Sequence, residues 1–148
     1  MKVALDTNVL VYAEGVGAAE RRAMALDVVR RLPPEAVVLP VQVLGELFNV
    51  LVRKAGRSRA DARAAVLSWC DAFPLIETSP VALLSATDLA ANHQLGIWDA
   101  VVLSAAAEAA CRLLLSEDMQ DGLTCGGVTV TNPFAAELNP LLRALLAA

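Results

Sequence analysis

The 148-residue chain has a single histidine, His93. It carries no GxSxG motif, so Ser–His–Asp or Cys–His catalysis has little to build on. Between Asn92 and Gln94, that histidine reads as a helix-end residue facing the C-terminal dipole. The three cysteines, Cys70, Cys111 and Cys125, are irregularly spaced without CxxC. This excludes a disulfide framework or zinc site and leaves three small buried hydrophobes. Neither GxGxxG nor GxxxxGK[ST] occurs, which removes dinucleotide-binding and P-loop readings. Aromatics make up only 4% of the chain, too few for a base-stacking surface, and Trp69 and Trp98 read as core or interface anchors. No uncharged run approaches the ~20 apolar residues of a spanning helix. Asp6 interrupts the apolar N-terminus and no small-residue cleavage pattern follows, so no signal peptide is expected. The chain reads as cytoplasmic, with no membrane partner. Its net charge of −4 argues on its face against a nucleic-acid binder.

What is abundant is apolar residues, 57% of the chain, with a mean hydropathy of +0.55. One domain of residues 1–148 can bury much of this; the surplus points to a subunit interface or a groove for a partner chain. The cations are clustered: Arg53, Lys54, Arg57, Arg59 and Arg63 form one group, and Arg21, Arg22, Arg30 and Arg31 another. The first reads as a solvated face or as a phosphate-tracking rim in which Arg53 and Arg57 contact RNA.

Apolar strands are expected at Lys2–Leu5, Ala36–Leu39, Leu75–Glu77, Arg112–Ser116 and Val128–Val130. Helices are expected from Thr7, over Ala18–Leu32 up to Pro33-Pro34, over Val41–Lys54, and over Arg59–Phe73 behind a Ser58 cap. Three more follow: Ser79-Pro80 to about Leu95, closed by Gly96, then Trp98–Ala110 and Pro140–Ala147. Strands apolar throughout and alternating with helices predict an α/β fold, with a mostly parallel sheet of about five strands covered by helices on both faces. In such sheets the functional crevice lies outside the carboxyl ends of the strands.

Four carboxylates stand in apolar surroundings with no Lys or Arg immediately beside them. Asp6 ends the first strand, Glu46 is the only charged residue between Glu35 and Arg53, Asp99 is the only one between Asp88 and Glu108, and Asp118 follows the run Leu113–Ser116 and Glu117. Each has a plain alternative. Asp6 or Asp99 can cap a helix, Glu46 can lie on a solvated stripe with Gln42, Asn49 and Arg53, and Asp118 can be a loop residue. Four coincidences together are less economical than one shared cause. Two ionised carboxylates about 4 Å apart repel by roughly 4 kcal/mol at a protein-like dielectric, so clustering needs an external counter-charge. A hard cation, Mg²⁺ or Mn²⁺, is the natural one. Such a site hydrolyses phosphodiesters without a side-chain nucleophile, with Thr7, Asn8 and Ser116 available to orient the acids.

The stretch Met1-Lys2-Val3-Ala4-Leu5-Asp6-Thr7-Asn8-Val9-Leu10 resembles the opening of a PIN domain, particularly of the VapC-type ribonuclease toxins. Gln42–Leu47 resembles that family's helix bearing the second acid, and Leu95–Val102 its third-acid segment. Leu114–Gly122 resembles its fourth, and Asn132-Pro133-Phe134 its closing motif. The resemblance spans nearly the whole chain in the right order. It implies a PIN fold and Mg²⁺- or Mn²⁺-dependent endoribonuclease activity with Asp6, Glu46, Asp99 and Asp118 as catalytic metal ligands; Asp121 and Glu117 stand close enough to replace or assist Asp118. It also implies a homodimer and a cognate antitoxin that blocks the acidic site. The alternatives are a PIN-like nuclease of RNA or DNA processing without a toxin role, and a catalytically idle nucleic-acid-binding module.

Overall fold

A computed structural model describes residues 1–148. Strand β1 (Lys2–Leu5) leads into helices α1 (Thr7–Ala13) and α2 (Ala19–Arg31), then a 3-10 turn (Pro34–Ala36) and strand β2 (Val37–Pro40). Helices α3 (Val41–Arg53) and α4 (Arg59–Ala72) follow, then β3 (Leu75–Ile76), α5 (Pro80–His93), α6 (Ile97–Glu108) and β4 (Cys111–Leu115). The chain closes with β5 (Thr124–Cys125), β6 (Val128–Thr131) and α7 (Pro140–Ala147). Ser58 and Ser79 cap α4 and α5 as their positions predict, through the Asp61 and Ala82 backbone N–H groups.

The sheet runs in the order β3-β2-β1-β4-β6-β5. Only β5 is antiparallel, to β6; the other pairs are parallel. Successive side chains of a strand point to opposite faces, yet Val3, Ala4 and Leu5, and likewise Leu113, Leu114 and Leu115, are all fully buried. Both faces are therefore covered, which explains strands apolar throughout. One core of 31 buried residues draws on elements from β1 to α7. No helix is long and apolar enough to cross a membrane.

The sheet has six strands rather than about five. The missed one, β5, is two residues long and turns into β6 through Gly126-Gly127, both at positive φ. A Gly-Gly pair between short strands is itself a hairpin signal. Helix α5 ends at His93, with Gln94 rather than Gly96 in the left-handed conformation that stops it. The α6 start falls at Ile97, one residue earlier than expected.

From β1 the chain winds outward to β2 and β3, then returns to place β4 on the other side of β1. The switch in winding direction opens a crevice between the carboxyl ends of β1 and β4. Leu5 pairs with Leu115 at that edge, so the next residues, Asp6 and Ser116, start on opposite sides of one opening.

Candidate active site

Asp6 is buried, only 3% exposed. Its Oδ1 accepts from the Thr7 N–H at 2.8 Å, capping α1. Its Oδ2 accepts from the Ser116 hydroxyl at 2.7 Å and from the Asn8 amide at 3.3 Å. The cap reading thus holds for one oxygen, while the other is held against β4. Burial pushes the carboxyl up to about 6; the hydrogen bonds from Ser116 and Thr7 oppose this, and the charges of Asp99 and Glu46 add to it.

Glu46 is not a freely solvated residue: Gln42 Nε2 donates to its Oε1 at 3.0 Å and the Thr7 hydroxyl donates to its Oε2. One turn of α1 thus links two acids that lie forty positions apart. Asp99 occupies the first turn of α6, but Gly96 takes the cap position and no side chain caps that helix. The cap reading fails for Asp99. Its half-buried carboxyl is raised by burial first, then by the charges of Glu46 and Asp118.

Asp118 lies exposed on the loop after β4. Its N–H donates to Ser116 Oγ at 3.2 Å, and its Oδ2 accepts from the Asn8 amide at 3.3 Å. Both rivals for its place are engaged elsewhere. Glu117 accepts from the Tyr12 hydroxyl at 2.6 Å and pairs with Arg21 at 2.9 Å. Asp121 accepts from the Asn132 N–H at 2.9 Å and so ties the loop to the end of β6.

Asn8 is the centre of this arrangement. Its amide nitrogen reaches Asp6, Ser116 and Asp118, each at 3.3 Å, and its oxygen accepts from the Glu117 N–H at 3.2 Å. Thr7, Asn8 and Ser116 therefore all hydrogen-bond the acids, as their sequence positions suggest. None of the protein's three ion pairs involves Asp6, Glu46, Asp99 or Asp118. All four meet at one edge of the sheet, but as the side chains stand no three acidic groups converge tightly enough to enclose an ion. An all-carboxylate donor set, without thiol or imidazole, is the chemistry that suits a hard divalent cation.

Several contributors carry no sequence signal. Arg21 lies 5.2 Å above the Phe134 ring, which meets Tyr12 edge-on at 5.3 Å. Tyr12 and Arg21 come from consecutive helices and Glu117 from a loop about a hundred positions further on, and only folding joins them. The motif Asn132-Pro133-Phe134 now has a local role: Asn132 Oδ1 accepts from the Phe134 N–H at 2.8 Å, turning that ring inward.

The expected basic rim is smaller than the sequence suggests. Arg57 Nη1 pairs with Glu14 Oε1 at 2.8 Å, its Nη2 donates to the Glu14 backbone oxygen at 2.6 Å, and Trp69 Nε1 donates to Glu14 Oε2 at 3.0 Å. Arg57 is a structural clamp between the end of α1 and the segment after α3. Arg57→Ala should cost about 1–3 kcal/mol by urea denaturation, with no change in the salt dependence of RNA binding; a flattened salt slope would return it to the rim. His93 ends α5 as expected and lines a cavity of about 450 Å³ between α5, α6 and the β5–β6 turn, which shares none of the four acids. Trp69 is a core residue and Trp98 is 57% exposed. The cysteines are free; only Cys111 is buried as expected, which raises its thiol to about 11, while Cys70 and Cys125 are only partly covered because they lie at the edges of the core.

No curated protein matches this chain. Among solved structures, the fold is similar to VapC20 of Mycobacterium tuberculosis, a sarcin–ricin loop cleaving toxin, with a TM-score of 0.68 and 19% identity over 79% of this chain and 90% of that one. A toxin–antitoxin complex from Klebsiella pneumoniae gives 0.66 at 20% identity, covering 90% and 98%. VapBC2 of Rickettsia felis, bound to a promoter DNA fragment, gives 0.63 at 15%, covering 89% and 98%. The PIN domain model matches residues 3–120, a span that contains all four acids. This chain belongs to the PIN domain family.

Proposed function

We propose that the chain, working as one domain over residues 1–148, is a Mg²⁺- or Mn²⁺-dependent endoribonuclease and the toxin of a toxin–antitoxin pair. The observation that carries this reading is the meeting of Asp6, Glu46, Asp99 and Asp118 at the β1/β4 switch point without a cationic partner. The relatives' descriptions as a sarcin–ricin loop cleaving toxin and as a toxin–antitoxin complex support the substrate class and the partner.

These four carboxylates would hold the ion. When bound, it lowers the pKa of a water and shields the phosphate under attack. The chain's own residues do the rest. Ser116 and Thr7 fix the two oxygens of Asp6, and Asn8 sets the spacing between Asp6 and Asp118. Thr7 and Gln42 aim Glu46 at the opening, so the acids need only draw closer together to enclose an ion. Asp99, which caps no helix and stands half-buried near Glu46 and Asp118, is the acid free to reorient onto the ion.

A homodimer and an antitoxin belong to the same reading. The exposed Val81, Leu84, Ile97 and Trp98 of α5 and α6 support an apolar face for a second copy. The test is cleavage of a labelled mixed-RNA pool by purified protein with Mn²⁺ or Mg²⁺. Endonucleolytic products that vanish in EDTA and return with added metal are expected. Cleavage indifferent to EDTA, or none with either metal, rejects the nuclease and brings the idle binding module forward.

A further inference from the structure

The acidic edge opens into a groove that metal chemistry does not account for. It encloses about 610 Å³ between α1 and α3, within the ~300–1,000 Å³ of sites built for small ligands. Glu46 and Asp118 form one end; beyond them the lining includes the apolar Val11, Val16 and Val50 and the polar Asn49, and Lys54 lies one turn past Val50. Glu46, Val50 and Lys54 recur every fourth residue and so line a single stripe of α3 and its C-cap. Eight residues along a helix separate Glu46 from Lys54 by about 12 Å, which sets the lysine beyond the phosphate that the acids would hold.

Lys54 takes part in none of the ion pairs. Its neighbour Arg57 is committed to Glu14, and Arg53 does not line the groove. One wall is rigid: Tyr12 is fixed by its bond to Glu117 and its edge contact with Phe134. Gly17, at φ +95°, lies against that ring; an added Cβ would stand 3.4 Å from it.

We infer that this groove binds the nucleotide flanking the cleaved bond, with Lys54 on the adjacent phosphate and Asn49 hydrogen-bonding the base between. The inference rests on the nuclease reading. A cation at the far end suits a phosphate that no metal shields, and the acids at the near end suit one that a metal does. Between the two, valines suit a base turned out of its stack, which paired RNA keeps inside the helix. Lys54 is therefore a positioning residue for the strand that enters the acidic site.

The test is binding of a labelled single-stranded oligoribonucleotide to the Asp99→Asn protein over a salt series. It is repeated with Lys54→Ala, Lys54→Arg or Arg143→Ala added. Lys54→Ala should weaken binding roughly 5- to 10-fold at low salt and make the log–log salt slope shallower by about 0.7, the loss of one single-strand phosphate contact. Lys54→Arg should restore both. Arg143→Ala removes the same charge from α7, which contributes nothing to the groove, and should leave the slope unchanged. In the cleaving protein, Lys54→Ala should raise KM at constant kcat. Equal effects of Lys54→Ala and Arg143→Ala would overturn the assignment, leave the nuclease reading standing, and give the groove to a protein segment. Metal-dependent cleavage by the parent chain, measured separately, tells failure of the groove from failure of the nuclease.

Discussion

Asp99→Asn is expected to lower metal-dependent RNA cleavage by about 100-fold or more, the consequence of losing several kcal/mol of ion-mediated stabilisation. The metal-free variant should be as stable as its parent, or more stable. The two outcomes come from the same charge. Asp99 does not cap α6, and its carboxyl is raised by burial and by Glu46 and Asp118, so in the absence of a cation its ionisation opposes folding. Asparagine keeps the shape and removes the repulsion. Kinetics with Mn²⁺ and thermal unfolding in EDTA read the two effects separately. A clear drop in the unfolding temperature of the metal-free variant would show Asp99 to be structural support instead.

A divalent ion should offset part of the pH dependence of stability. Burial raises the Asp6 carboxyl from 3.8 to about 6 in the folded chain, so the folded state holds that proton more tightly than the unfolded one. Its contribution is therefore fully present below pH ~4, is lost as pH rises to about 6, and amounts to on the order of 3 kcal/mol. In EDTA, stability should fall over this window by more in the parent than in Asp6→Asn. The slope is the readout, since asparagine also alters the hydrogen bonds to Ser116 and Asn8. Ionised carboxylates are what a cation binds, so millimolar Mg²⁺ or Mn²⁺ should raise the unfolding temperature by a few degrees at pH 7.5 and hardly at pH 5. Equal parent and Asp6→Asn slopes in EDTA, or a metal effect independent of pH, would reject the linkage.

The four acids were legible because a charge isolated in an apolar run conflicts with its surroundings, and such conflicts concentrate at functional sites. Asp6 and Asp118 could even be placed at strand ends. Arg57 was harder to place for the opposite reason. Arg57 looks like a free cation until α1 brings Glu14 against it, because ion pairing is a matter of distance in space rather than along the chain. The residues nearest in sequence to Asp118 looked equally able to replace it. Their commitments, Glu117 to Tyr12 and Arg21, and Asp121 to Asn132, involve partners up to about a hundred positions away.

By itself the sequence determined the alternation of strands and helices, the burial of both sheet faces and the identity of the candidate acids. These follow from local apolar periodicity, from capping chemistry and from the cost of an isolated buried charge. Only the tertiary structure decided the strand order that opens the crevice between β1 and β4, the role of Asn8 as the bridge from Asp6 to Asp118, and the choice of Lys54 over Arg53 and Arg57 as the cation facing the groove. Each of those depends on which long-range pairs form as the core closes. No local pattern encodes them.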